Sequence, residues 1–117
     1  MHNFRQLNIW KDTMQLSKAV YVLTSNFPNA ERYGLISQIN RASISVPSNI
    51  AEGSSRSSNK EFKHFLSIAL GSLFELETQV VLSQELNFIE NEGCENLISK
   101  IVQLQKMIST FRKTLSD

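Results

Sequence analysis

Apolar positions recur at steps of three and four along nearly the whole chain, and no stretch alternates cleanly enough for a strand. Four segments carry this helical period. The first runs roughly from Leu7 to Asn26 and stops before Phe27-Pro28, because proline disfavours a helical residue ahead of it. The second runs from Ala30 to about Ala51. Gly53 is expected just past its end, in a left-handed conformation, ahead of the loop Ser54-Ser55-Arg56-Ser57-Ser58. Ser58-Asn59-Lys60-Glu61 has capping-box spacing, with Glu61 reaching back to the Ser58 backbone, and opens a third helix that continues to about Leu86. Residues 87–91 make the next turn. Glu92 and Glu95 then suit the positive end of a fourth helix that runs to about Leu115. Short links between long helices favour antiparallel neighbours. The pattern therefore predicts an all-α, up-down-up-down four-helix bundle forming one domain over residues 1–117.

Pro47 falls inside the second helix. Its ring removes the backbone bond to Ser43 and costs about 3 kcal/mol, so a kink is expected there. Two short helices meeting at Val46-Pro47 are the alternative. One kinked helix is preferred because Leu35, Ile39, Ala42, Val46 and Ile50 hold a single apolar stripe through the proline. The third helix has a core stripe of Phe62, Phe65, Leu66, Ala69, Leu73, Leu76 and Val80, with Leu70, Phe74 and Val81 on a flank. In the fourth, Leu97, Ile101, Leu104, Ile108, Phe111 and Leu115 form one seam. The first helix is different. Leu7, Trp10, Met14 and Tyr21 lie on one side; Leu16, Ala19, Val20, Leu23 and Phe27 lie on the other. A helix apolar on two faces must bury both. A four-helix monomer covers only one, so Trp10, Met14 and Tyr21 are the expected oligomer interface.

Composition adds limits. At 117 residues the chain can bury one core, and 41% hydrophobic residues set it apart from disordered sequences. The net charge is +1, but it is unevenly spread. Residues 1–60 hold seven cations against three carboxylates, a net +4, whereas residues 61–90 hold one against five, a net −4. No apolar run approaches the roughly 20 residues of a membrane span, and the polar start Met1-His2-Asn3 is unlike a signal peptide. A soluble, cytoplasmic protein is expected. Contact with nucleic acid is expected to be weak and electrostatic, because no aromatic-rich basic patch is visible.

No catalytic constellation is apparent. Glu61-x-x-His64 has the one-turn spacing of di-iron carboxylate bundles, but that site needs a second such motif, and the other histidine is His2. Cys94 stands alone in the first turn of the fourth helix, where a helix terminus can lower a thiol pKa, and it has no histidine at a recognisable spacing. Gly34, Gly53, Gly71 and Gly93 are isolated and make no phosphate loop. Neither a metal, a cofactor nor a small-molecule substrate is implied. The polar side of the second helix is more suggestive. Gln38, Arg41, Ser45, Asn49 and Glu52 form one continuous stripe, either a solvated face or a polar seam that contacts RNA, lines an oligomer channel or pairs Arg41 with Glu52 across an interface.

The residues Phe27-Pro28, Glu31, Tyr33-Gly34-Leu35, Gln38, Arg41-Ala42, Ser45 and Ser48-Asn49-Ile50-Ala51-Glu52-Gly53 are distinctive as a set. With Phe65, Ile68-Ala69, Gly71-Ser72 and Glu75-Leu76 following, and Trp10, Met14 and Tyr21 before, the chain resembles the four-helix-bundle proteins encoded in intervening sequences of bacterial 23S rRNA genes. The resemblance implies an antiparallel bundle that assembles as a homopentamer, without established enzymatic activity. A related family, the accessory proteins of diversity-generating retroelements, implies instead an RNA- or ribonucleoprotein-binding factor with a strongly basic surface, from which a net charge of +1 departs.

Overall fold

Four α-helices, α1 (Asn8–Thr24), α2 (Leu35–Ser54), α3 (Asn59–Glu85) and α4 (Asn91–Thr114), are joined by short links, with single 3-10 turns at Phe4–Gln6 and Asn29–Glu31. The computed structural model describes residues 2–116; Met1 and Asp117 lie outside the described residues. Sequential helices pack side by side and α4 returns to α1, which gives the expected up-down-up-down bundle, about 45 × 24 × 20 Å. Ile39, Ile50, Phe62, Leu66, Leu73, Leu76, Ile101 and Ile108 fill its centre and are essentially without solvent contact. Contacts between α1 and α4 are the thinnest of the four sides.

The boundaries show where local chemistry outweighs periodicity. Pro28 ends α1 as expected, at Thr24 rather than Asn26. The Ala30 start expected for α2 is overturned: residues 29–31 make only one 3-10 turn, and α2 begins after Gly34, a poor helix former. Ser58 caps α3, its hydroxyl accepting the Glu61 amide at 3.1 Å. The Glu61 carboxylate lies 3.4 Å from that same hydroxyl, where contact with the Ser58 backbone was expected.

Helix α2 runs unbroken through Pro47. The Ser43 carbonyl, deprived of its helical donor by the proline ring, accepts the Ser17 hydroxyl of α1 at 2.9 Å. Both residues are buried, so a side chain from the neighbouring helix replaces the missing backbone bond.

The left-handed cap expected at Gly53 is not there. Gly53 lies within α2, is buried, and has no positive φ. Its lack of a side chain serves packing, since a Cβ there would lie 2.6 Å from Phe65 Cβ and 2.9 Å from Phe62 Cδ1. The left-handed residue is Asn87 (φ 63°), after α3. The amide of Asn87 donates to Gln84 O and that of Phe88 to Ser83 O, the paired bonds of a Schellman cap.

The inward face of α1 also differs from the expected one. Leu16, Val20 and Phe27 are buried, joined by Ile9, Thr13, Ser17 and Thr24, three of which are polar. By composition α3 contains a stretch long and apolar enough to cross a bilayer, but its Phe62-to-Val80 stripe is already taken up by the core.

Candidate functional site

Trp10, Met14 and Tyr21 are set to one side of α1, one to two turns apart, and α2 runs beside them. Between the helices lies an open groove of about 640 Å³, walled by Trp10, Met14, Tyr21 and Val22 on α1 and by Ile44, Pro47 and Ala51 on α2. Phe4 closes one end, its ring 5.1 Å from Trp10, and Lys18 stands on the rim. Met14, Tyr21, Val22 and Ile44 keep 39%, 50%, 69% and 42% of their surface in solvent. Trp10 is half-buried against the core, so it forms a wall more than an exposed anchor. The expected second apolar face is therefore a flank of α1 continued by α2, and not the back of α1. Val22 on α1 and Ile44 on α2 were not among the expected members of this face.

The polar stripe of α2 divides into three parts. Ser45 and Asn49 are half-buried and tie α2 to α3: the Asn49 amide donates to the carbonyl and hydroxyl of Ser45 at 2.8 and 3.0 Å, and the Ser45 hydroxyl meets that of Ser72 at 2.8 Å. Glu52 is exposed and bonds Arg56 one turn on, at 3.0 Å, within its own helix end. Arg56 in turn sits 4.7 Å over the Phe65 ring. The Glu52 carboxylate thus has a cation of its own chain within reach. Gln38 and Arg41 are exposed at the N-terminal half of the stripe.

Arg41, Ser45 and Asn49 also line a second groove of about 730 Å³, continuous with the first through Tyr21, Ile44 and Ser48. Its other bank is the turn before α2, with Arg32 and Tyr33. Tyr33 is 90% exposed, and the Arg32 guanidinium lies 5.8 Å from its ring. Sequence reading missed both as site residues. The signal was available in the Arg32-Tyr33-Gly34 turn, but the nearness of Tyr21 comes only from the α1–α2 hairpin.

The other candidates do not assemble. Glu61 is occupied with the Ser58 cap, and His64 is exposed beside the edge of Phe65. Among the described residues no three His, Cys, Asp or Glu side chains gather as a metal site would need. Burial, with the Glu95 carboxylate beside it, pushes the Cys94 thiol above its usual range. That is the reverse of the lowering a helix N-terminus could have given.

Comparison with known proteins agrees with this architecture. Curated proteins contain no significant match. Among solved structures, a protein of unknown function from the S23 ribosomal protein family of Bacteroides thetaiotaomicron superimposes with a TM-score of 0.81. It shares 21% identity, and the match covers 90% of this chain and 98% of that one, a likeness of fold. Residues 5–110 match the family described as 23S rRNA-intervening sequence protein. That match spans nearly the whole chain, and the protein belongs to the 23S rRNA-intervening sequence protein family.

Proposed function

We propose that this protein is a non-enzymatic scaffold that assembles from copies of itself, with the apolar groove between α1 and α2 as one half of the contact. The observation that carries the reading is that groove: four large side chains, Met14, Tyr21, Val22 and Ile44, stay partly in water side by side. Burying such partly exposed side chains contributes on the order of 1 kcal/mol each. A second copy has a surface to match. The outer side of α3 leaves Phe74, Val81 and Leu82 exposed, and Glu75 and Glu85 stand among them. The groove has Lys18 on its rim and belongs to the +4 half of the chain; α3 supplies most of the −4 segment. Groove against α3 is a contact between two different surfaces, which closes as a ring under cyclic symmetry. Five subunits is the number that the family resemblance implies.

Native mass spectrometry at micromolar concentration tests the reading. A single oligomer is expected, and Met14→Glu combined with Val22→Glu, both exposed positions, should give folded monomers. A monomeric parent overturns the scaffold. A dimer or hexamer overturns only the number five, and an intact oligomer in the double variant moves the contact away from this groove.

A further inference from the structure

The second groove shares Tyr21 and Ile44 with the proposed subunit contact, but Arg32, Tyr33 and Arg41 lie outside it. Its floor is the outward side of α2 (Ile36, Ser37, Asn40 and Ile44), and its banks carry Tyr21 on α1 and Arg32-Tyr33 on the turn. Two guanidiniums, Arg32 and Arg41, face the same space, and no carboxylate lines it. The ion pair found among the described residues is Arg56–Glu52, so neither arginine has an acidic partner. Tyr33, almost wholly in solvent, contributes next to nothing to the core.

We propose that this groove binds a short stretch of single-stranded nucleic acid, with a base stacked on Tyr33 and phosphates held by Arg32 and Arg41. Every base presents a flat π-face to an aromatic ring, and the planar guanidinium both stacks on bases and pairs with phosphate oxygens. An acidic peptide would use the arginines but has no need of an exposed tyrosine ring beside them. A duplex is excluded by its shape, since stacked base pairs do not present their faces. A volume of about 730 Å³ falls within the range of clefts that hold small ligands, about 300–1,000 Å³. Binding is no longer expected to be purely electrostatic, as it was from net charge, because the turn and α2 bring an exposed ring together with two arginines. Arg32, Tyr33 and Arg41 come from one subunit and lie outside the proposed subunit contact, so the inference does not depend on the scaffold reading.

Fluorescence anisotropy with labelled oligouridine and oligothymidine tests it, first at low and then at physiological salt. Both probes are expected to bind at low salt, and a preference for oligouridine would identify RNA as the source. Tyr33→Ala should weaken binding at least about fivefold, and Tyr33→Phe should restore it, because the stacking surface returns. Arg41→Ala should weaken binding and reduce the slope of log affinity against log salt by about 0.7, the value for one single-strand phosphate contact. Lys106→Ala, in the cleft between α3 and α4, serves as the control for general positive charge. Positions 33 and 41 are exposed, and thermal melts confirm that each variant is folded. The inference is overturned by no binding at low salt, or by Tyr33→Ala binding like the parent. Equal losses in Arg41→Ala and Lys106→Ala overturn it too, as does tighter binding of an aspartate-rich peptide.

Discussion

Replacing Ser17 by alanine removes one hydroxyl from a helix and should cost more than its size suggests. The hydroxyl donates at 2.9 Å to the Ser43 carbonyl, whose helical partner is lost to the Pro47 ring. Ser43 has no solvent exposure and Ser17 only 9%, so water does not readily take the vacated place. A net hydrogen bond is worth about 0.5–1.5 kcal/mol, whereas leaving a buried acceptor unpaired costs about 1–3 kcal/mol. The second figure applies here. Unfolding entropy near 2.1 cal/mol/K per residue makes 1 kcal/mol about 4 °C in a chain of this length, so the melt should fall by roughly 4–12 °C.

A double-mutant cycle isolates the cause. Pro47→Ala restores an amide that can bond Ser43 from within α2, and in that background Ser17→Ala should cost at least about 1 kcal/mol less. Urea unfolding at one fixed protein concentration provides both numbers and holds any assembly contribution constant. Equal costs in the two backgrounds would refute the idea that Ser17 replaces the proline's missing donor. A single variant as stable as the parent would show that the carbonyl finds another partner.

Gly53→Ala should destabilise by about 1–3 kcal/mol although alanine is the better helix former by about 1 kcal/mol, because its Cβ would meet the Phe65 Cβ at 2.6 Å. A rise in the urea midpoint would show that Phe62 and Phe65 move aside freely. Cys94 should react with iodoacetamide at pH 7.5 more slowly than free glutathione: a raised thiol pKa means less thiolate at a given pH. A rate equal to or above that of glutathione would contradict the stated effect of burial and Glu95.

The bundle was legible because its signals are local and repeated. Each helix needs only an apolar stripe of its own, and the α3 and α4 stripes fall in the core nearly residue for residue. The Ser58 cap follows from a four-residue spacing. Gly53 was misread because the same residue serves a left-handed cap and a close helix crossing. Only the position of Phe62 and Phe65 on the next helix separates the two. Helix α2 ends without a left-handed residue, its cap Ser55 staying in the right-handed region, and it is Asn87 after α3 that turns left-handed, which asparagine can do at modest cost. The polar stripe was visible as a stripe, but the sequence does not show that Ser45 and Asn49 face Ser72. The Arg32-Tyr33 turn escaped because no periodic pattern runs through it. Tyr21 joins it only through the hairpin.

The burial of α1 is partly inverted, and that links its packing to its proposed contact. Thr13, Ser17 and Thr24 point inward, each donating its hydroxyl to an oxygen nearby: Thr13 to Ile9 O, Ser17 to Ser43 O, Thr24 to Tyr21 O and Asn40 Oδ1. Met14, Tyr21 and Val22 point outward. A hydroxyl satisfied in this way contributes about 0.5–1.5 kcal/mol, less than the 1.5–3 kcal/mol of a fully buried large apolar side chain. Toward α4 the contact is thin, with a cleft of about 210 Å³ between Asp12, Gln15 and Ala19 on one side and Lys100, Gln103 and Met107 on the other. Helix α1 is thus held to the bundle mainly through α2, by Ile9, Leu16, Val20 and the hydroxyls of Ser17 and Thr24. Those hydroxyls bond Ser43 and Asn40 of α2, whereas that of Thr13 stays within α1. A partner seated in the groove would touch Met14 and Val22 on α1 and Ile44 and Pro47 on α2 at once, clamping the two helices where their own contact is most polar. Assembly and the docking of α1 then draw on the same surface, and whatever covers the groove adds its binding free energy to the hold on α1.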